Sequence, residues 1–239
     1  MSEPLKHSLL GITLFLFWTG MTIIIPLFFE DALIILTTGF GLGWVFGTIL
    51  LRLVSMVFFG LALHSIFKII KRTSDMRLWL SLAIAAVPGF FISFAVYPIY
   101  DIDYGLLNDN LEIPPVSELN RLTQGEYAYE GAHQVIAFLD VGCNHCEVAC
   151  RKLAAVQLKN PELDIHLFFS DEKKYVDHFL ERNNGLELTH HYLASQHQFI
   201  NFAGFEFPSI FVVGPDENTL YHWVGSHMNY TALDYLNNL

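Results

Sequence analysis

The chain has 239 residues, of which 53% are hydrophobic and 15% charged, and its mean hydropathy is +0.39. This composition is too apolar for a disordered protein or an ordinary soluble one, so part of the chain is expected to lie in a lipid bilayer. The net charge is +2 over residues 1–100 and −13 over residues 101–239, and the acidic half excludes nucleic acid as a partner because it would repel phosphates.

Apolar runs in the first half predict membrane-spanning helices. The run 9–29 has 21 residues without a charge, and as a helix it reaches roughly 31 Å, about the thickness of a bilayer core. A second uncharged run covers 78–97, where a helix can absorb Pro88 as a kink. Between these runs we expect one span at about 43–67, preceded by a Gly-broken interfacial segment. The alternative is two spans that reverse at Arg52, which would make four spans instead of three.

The basic residues predict the orientation of these spans. Glu30 and Asp31 follow the first span and are expected outside, whereas the loop before the last span is basic and expected in the cytoplasm. Three spans then place the N-terminus in the cytoplasm, and both arrangements place the C-terminal half outside. No small-residue cleavage pattern follows the first run, so it is expected to stay as an uncleaved anchor. The basic residues near this loop are Lys68, Lys71, Arg72 and Arg77.

Two ionisable residues, Arg52 and His64, fall inside the predicted middle span. An ionisable residue within a membrane is by default a functional hypothesis. On a helix, however, these two are about 120° and about 18 Å apart, so they do not form one site alone. The simpler interpretation is that Arg52 pairs or snorkels toward an interface and that headgroups solvate His64.

The second half is predicted to be an α/β domain behind a linker. Residues 101–116 are acidic and include Pro114-Pro115, which favours an extended linker. Residues 117–239 alternate strands and helices, as is typical of a layered α/β domain. We expect strands at 133–141, 163–170, 209–213 and 219–224, a helical region over 171–203 with a break at Gly185, and a closing helix over 230–239.

The reactive chemistry is predicted where the first of these strands ends, because Cys143-Asn144-His145-Cys146 opens a helix there. Backbone N–H groups and the macrodipole at a helix N-terminus stabilise a thiolate, which makes Cys143 the expected nucleophile. Cys146, one turn further on, can close a disulfide with Cys143 or displace a substrate from a mixed disulfide. A CxxC pair is also half of a zinc site, but a structural zinc normally needs a second pair of similar spacing. The sequence has no second pair.

With this motif, and with Phe207-Pro208 leading into a later strand, the sequence from about 118 to 239 resembles the thioredoxin fold. The branch that it resembles consists of membrane-tethered thiol–disulfide oxidoreductases of bacterial envelopes. The resemblance implies a bacterial inner-membrane protein whose α/β domain is periplasmic. It also implies that Pro208 is the family's cis-proline, which the chemistry of X-Pro bonds permits, and that Phe207 and Pro208 shape the groove for client proteins.

The same resemblance assigns roles within the motif. Cys143 and Cys146 are the implied catalytic pair, and Asn144 and His145 are implied to tune it. His145 occupies a position familiar from oxidising members, where a histidine helps to hold the thiolate and raises the reduction potential.

Three features depart from the family pattern. Gly142 stands where a tryptophan is usual before the motif, and the stretch from the motif to the proline is longer than in a minimal thioredoxin. Ala137 occupies the strand position where many thioredoxins bury an acid, which weakens proton transfer to the second thiol. Glu147 and Asp140 are the candidates to replace that acid, although Asp140 is equally suited to a turn or a cap.

The third cysteine, Cys150, lies one helical turn beyond Cys146 on the same face. It is predicted either as a small buried hydrophobe or as a third ligand, with Cys143 and Cys146, of a soft ion such as Cu(I). Copper chaperones of thioredoxin fold also use a cysteine pair with a distant histidine. The candidate histidines here are His190, His191, His197 and His222.

The sequence therefore predicts a membrane-anchored thiol–disulfide oxidoreductase that exchanges disulfides with extracytoplasmic client proteins. Residues 1–142 contain no cysteine, so a separate redox partner is expected to oxidise or reduce the dithiol. No cofactor beyond the redox-active disulfide is expected. The alternatives are copper delivery and a thioredoxin-like subunit that serves only as a binding scaffold in a membrane assembly.

Overall fold

The computed structural model describes residues 3–70, 78–96, 116–123, 126–127, 129, 133–193, 195–224 and 229–239. The chain divides into two compact units, Met1–Tyr100 and Asp101–Leu239. The predicted linker, 101–116, lies outside the described residues except for Val116, and most of the predicted basic loop, 71–77, also lies outside them.

The described part of the first unit is helical. Leu36 accepts hydrogen bonds from the N–H groups of Gly41 and Leu42, and Gly41 has φ +69°, a left-handed conformation that suits glycine and ends the second helix. The first and fourth helices both pack along the third. The helices are α1 (Glu3–Leu27), α2 (Phe29–Phe40), α3 (Trp44–Ile70) and α4 (Leu78–Val96).

Two segments of these helices are long and apolar enough to cross a membrane, by length and composition. They are Leu9–Leu27 and Trp44–Ile66, among the residues that the structure describes. Helix α3 runs unbroken through Arg52, so the chain does not reverse there as four spans would require. Helix α4 covers the third predicted span, whose membrane crossing stays a prediction.

The interfacial segment predicted before the middle span is the helix α2, which packs against α3. A Cβ at Gly47 would lie 2.6 Å from Leu33 Cδ1, so this glycine permits the close approach of the two helices. Arg52 is only 8% exposed, and its guanidinium carbon lies 5.8 Å from the ring centre of Phe29. Arg52 is therefore accounted for by packing between α2 and α3, and His64 is half-buried.

The second unit is built on a five-stranded sheet in the order β3-β2-β1-β4-β5. Strand β1 is parallel to β2, and β2 is parallel to β3, whereas β4 is antiparallel to both β1 and β5. The strands are β1 (Gln134–Phe138), β2 (Asp164–Phe169), β3 (Thr189–Tyr192), β4 (Ser209–Val213) and β5 (Thr219–Val224). The helices are α5 (Val116–Leu122), α6 (Asn144–Lys159), α7 (Lys173–Arg182), α8 (Gln196–Ala203) and α9 (Tyr230–Leu236).

Helices cover both faces of this sheet, as expected for a layered α/β domain. On one face Phe138 packs against Phe199 of α8, with ring centres 5.6 Å apart, in a core cluster that also includes Leu119 of α5. On the other face Phe169 packs against Phe179 of α7 at 5.7 Å. All five residues of β1 are buried, which explains why its sequence is apolar on both faces.

Strand β3 is absent from the prediction, which assigned Thr189–Tyr192 to a helical region; that assignment is wrong. The segment is four residues long and has two adjacent histidines, so it lacks the alternating apolar pattern of a half-buried strand. Pairing with β2 determines its conformation, with His191 opposite Phe168 and a hydrogen bond of 2.7 Å from Leu193 N–H to the Phe169 carbonyl.

A buried chain of polar groups connects the segment before β1 to the first three strands. The Tyr127 hydroxyl donates to Gln134 Oε1 at 2.9 Å, and Gln134 Nε2 donates to Asp164 Oδ2 at 2.7 Å. Asp164 Oδ2 lies 2.9 Å from His166 Nε2, and His166 Nδ1 lies 2.9 Å from His191 Nε2. Burial, and next the neighbouring His166, lowers the pKa of His191 to about 4.

Candidate functional site

The turn between β1 and α6 places Cys143 at the N-cap of the helix. The Asp140 carbonyl accepts from Cys143 N–H at 3.2 Å, and Asp140 Oδ1 accepts from Gly142 N–H at 2.8 Å. The Cys143 sulfur in turn accepts from Cys146 N–H at 3.3 Å. A sulfur that caps a helix in this way receives a hydrogen bond and the positive end of the macrodipole, both of which stabilise a thiolate.

The two cysteines of the motif lie in different environments. Cys143 is half-buried, whereas Cys146 is 0% exposed. Burial is the main reason why the pKa of Cys146 lies well above the ordinary value, and hydrogen bonding to Cys143 raises it further. Asp140 N–H donates to Cys146 Sγ at 3.5 Å, which opposes that effect. The outer sulfur is thus accessible for attack, and the inner one is kept protonated behind it.

The loop before β4 brings Phe207 and Pro208 to the motif. The peptide bond between them is cis, as the resemblance implies. The Cys143 thiol donates to the Phe207 carbonyl at 3.5 Å across 64 residues of sequence. The Phe207 ring stacks on Phe199 at 5.3 Å, and Phe205 is 89% exposed. The structure therefore joins the cysteine motif and the predicted groove residues in one site.

Asn144 and His145, the predicted tuning residues, form the first turn of α6, and both side chains are exposed. Both residues therefore lie at the surface next to Cys143. Tuning of the dithiol by these two residues stays a prediction.

Cys150 is fully buried and lies behind the site. A Cβ at Gly185 would lie 2.7 Å from its sulfur, and burial raises its pKa to about 12. In the described parts of the chain, no group of three or more histidines, cysteines and acids is placed to hold a metal ion. Two candidate histidines are engaged elsewhere, His191 with His166 and His222 with Ser209, each at 2.9 Å.

Two acids near the site have neighbours that the sequence did not predict. Glu147 forms an ion pair with Arg182 of α7. Asp171 follows β2, its carboxylate accepts from Val141 N–H, and burial followed by repulsion from Asp140 raises its pKa. The signal for Asp171 was available, because the carboxyl ends of parallel neighbouring strands meet at the same edge of a sheet.

The fold and the site define the class of the second unit. A central strand, a CxxC pair at the start of the next helix and a cis X-Pro bond before an antiparallel strand are the features of the thioredoxin fold. The thioredoxin-like domain predicted from the motif is therefore present.

No protein-family model matches the sequence, and no curated protein matches it. Solved structures similar to the chain include thioredoxin-fold thiol–disulfide oxidoreductases, which cover about half of it. A thiol:disulfide interchange protein DsbE of Chlorobium tepidum is 15% identical, covers 56% of this chain and 95% of its own, and has a TM-score of 0.41. A secreted disulfide oxidoreductase of Mycobacterium tuberculosis, homologous to DsbE of E. coli, is 15% identical, with coverages of 45% and 81% and a TM-score of 0.39. StoA of Bacillus subtilis is 12% identical, with coverages of 45% and 84% and a TM-score of 0.38. At such identities, function has to be argued from the residues of this chain.

Proposed function

We propose that this chain is a membrane-anchored thiol–disulfide oxidoreductase that exchanges disulfides with extracytoplasmic client proteins. The membrane is the bacterial inner membrane, crossed more than once, with the N-terminus in the cytoplasm and the α/β unit in the periplasm. The apolar segments Leu9–Leu27 and Trp44–Ile66 support the anchor. The acidic residues after the first span and the basic residues before the last one support the orientation.

The difference in exposure between Cys143 and Cys146 carries the proposed chemistry. The Cys143 thiolate attacks a client disulfide and forms a mixed disulfide, while the other client sulfur leaves as a thiolate. The Cys146 thiolate then attacks Cys143 Sγ, which releases the client as a dithiol and leaves a Cys143–Cys146 disulfide. The reverse sequence oxidises a client. In either direction a separate protein must restore the starting state, because residues 1–142 offer no cysteine for a relay.

Phe207 and Pro208 form the groove in which the client binds during this exchange. The Phe207 carbonyl lies 3.5 Å from the attacking sulfur. A client backbone that pairs with the chain at Phe207 would therefore present its disulfide to Cys143. Phe205, which is 89% exposed, offers apolar surface in the same loop.

Trapping tests the proposal. In a Cys146→Ala variant, the mixed disulfide on Cys143 loses its resolving thiol, so disulfide-linked adducts should accumulate on non-reducing gels. Cys150→Ala is the matched control, because it removes a buried cysteine from the same helix and should trap nothing. Adducts that persist when Cys143→Ser is combined with Cys146→Ala would contradict the proposed attack. Absence of adducts would favour the scaffold or copper alternatives, which copper uptake by the reduced chain distinguishes.

Labelling tests the orientation. Cys146 and Cys150 are buried, so Cys143 is the cysteine that a membrane-impermeant maleimide should reach in the reduced chain. Labelling of spheroplasts from outside supports a periplasmic α/β unit. Labelling that requires lysis would reverse the orientation.

A further inference from the structure

A buried serine lies directly behind the groove, at the start of β4. Ser209 follows Pro208 in sequence and is completely buried. In the sheet it lies opposite Phe138, the last residue of β1, on one side and opposite Val224 of β5 on the other. Strand β1 leads into the turn that carries Cys143, so a displacement of Ser209 would change the spacing between the dithiol and the groove.

A histidine of β5 is bonded to this serine. His222 Nε2 lies 2.9 Å from Ser209 Oγ, and His222 is also completely buried. The His222 ring stacks on Phe211, its partner across the strand pair, with ring centres 4.0 Å apart and planes 12° apart. This stacking fixes the ring, so that Nε2 holds the serine hydroxyl in one position. The bond is costly to break, because neither buried group can turn to water instead.

The aromatic core of the α/β unit restrains Phe207 from its other side. A row of packed rings starts at Phe207 and ends at the ring on which His222 stacks. From His222 the contacts return to Ser209, two residues after Phe207, so the backbone between Phe207 and Ser209 is held at both ends. The rings of the row are Phe207, Phe199, Phe138 and Phe211, with successive centres 5.3, 5.6 and 6.0 Å apart.

The backbone held in this way includes the Phe207 carbonyl beside the dithiol. In the reduced chain this carbonyl accepts from the Cys143 thiol at 3.5 Å. Once Cys143 forms a mixed disulfide, the thiol hydrogen is gone and the carbonyl can accept from a backbone N–H of the client instead. An extended client chain that pairs in this way needs the carbonyl at a fixed place and direction.

We propose that Ser209 and His222 are positioning residues for the client. The hydrogen bond between them keeps the Phe207 carbonyl where a client backbone can pair with it beside Cys143. This inference rests on the proposed exchange of disulfides with clients. Both side chains are buried, so they act through the backbone between Phe207 and Ser209 and do not touch the client.

Two disulfides that differ in backbone test this role with the full-length reduced chain in detergent. One is the symmetric disulfide of a capped five-residue peptide that has cysteine in the middle and alanine elsewhere. The other is bis(2-hydroxyethyl) disulfide, which has no backbone to pair. Acid quenching and chromatography of the released thiol give a second-order rate constant for each. The ratio of the two rate constants cancels any change in the thiolate fraction of Cys143, so it isolates pairing with the peptide.

Two single variants remove the bond from either side. Ser209→Ala deletes the hydroxyl, and His222→Phe keeps a ring to stack on Phe211 but has no nitrogen. Each should lower the ratio about three- to tenfold, the worth of one hydrogen bond. The rate constant with bis(2-hydroxyethyl) disulfide should not fall, because moving the carbonyl away does not make the Cys143 thiolate less stable. The double variant should be no worse than the weaker single variant, since both changes remove the same bond.

His191→Phe is the matched control. It makes the same substitution at another buried histidine and removes a bond of the same length, 2.9 Å, to His166. That bond joins β2 to β3, at the edge of the sheet opposite to β5. The ratio of rate constants in His191→Phe should therefore equal that of wild type.

Two results would overturn the positioning role. One is a wild-type ratio in both Ser209→Ala and His222→Phe, and the other is an equal fall of the ratio in His191→Phe, which would indicate a general loss of order. Failure of the proposed function has a different signature. A wild-type chain that reacts with bis(2-hydroxyethyl) disulfide but not with the peptide disulfide would refute exchange with clients, and the positioning role with it.

Discussion

The buried histidine of β3 should make the stability of the α/β unit depend on pH. His191 is 2% exposed and its pKa is lowered to about 4 in the folded state, from 6.5 in the unfolded chain. Because the pKa of this base is lower in the folded chain than in the unfolded chain, the folded state has its full stability only above the unfolded pKa. Between pH 6.5 and about 4 the unfolded chain binds a proton that the folded chain rejects, so this stability is lost as the pH falls.

The size of this loss follows from the shift of the His191 pKa. One pKa unit corresponds to about 1.4 kcal/mol, so lowering the pKa from 6.5 to about 4 makes the free energy of unfolding fall by about 3 kcal/mol across the window. Below about pH 4 the folded chain also binds the proton and the loss stops. His191→Gln keeps a donor for His166 but cannot titrate. The free energy of unfolding of this variant should therefore fall less as the pH is lowered. His197→Gln, at an exposed position on α8, is the matched control.

Thiol labelling in urea can measure this loss in the full-length chain. With Cys143→Ser and Cys146→Ser, the buried Cys150 is the remaining cysteine, so its reaction with 4,4′-dithiodipyridine reports unfolding of the α/β unit. The first unit contributes no signal, since residues 1–142 lack cysteine. A His191→Gln chain that loses as much stability as wild type between pH 6.5 and 4 would refute the reasoning.

Three further outcomes are expected. Gly185→Ala places a Cβ 2.7 Å from Cys150 Sγ and should cost about 1–3 kcal/mol in urea unfolding; adding Cys150→Ala should recover part of it, and strict additivity would contradict the clash. Asn229→Ala removes the cap that accepts from Ala232 N–H at 2.6 Å and should cost about 1 kcal/mol by the same method, which an unchanged midpoint would disprove. The reduction potential should lie above thioredoxin's roughly −270 mV, and His145→Pro should lower it in glutathione equilibration; a potential at or below that value would indicate a reductase.

Local sequence signals predicted much of the fold. The apolar run of β1 and the helix start at Cys143 are encoded by neighbouring residues, and the segment predicted as the middle span is one continuous helix. Pro208 could be assigned through the family resemblance, because a cis X-Pro bond before a strand is a feature of the thioredoxin fold. In each case the determining interactions join residues that are close in sequence, or the feature is shared with the thioredoxin fold.

The features that could not be predicted from the sequence depend on pairing between distant segments of the chain. The strand conformation of Thr189–Tyr192 comes from β2, and its own four residues carry little strand signal. The contact of His166 with His191 depends on the register between those strands, which no local pattern specifies. Asp171 was overlooked because its position at the same end of the sheet as Asp140 depends on the parallel pairing of β1 with β2.

The distance in sequence between the dithiol and Phe207 bears on how the site is assembled during synthesis. A chain made from its amino end releases Cys143 from the ribosome 64 residues ahead of the Phe207 carbonyl that lies beside it in the finished site. Helix α6 needs only local hydrogen bonds to form. The position of Phe207 just before β4, in contrast, requires that strand to pair with β1. The nascent dithiol is consequently open to oxidants before Phe207 and Pro208 lie beside it.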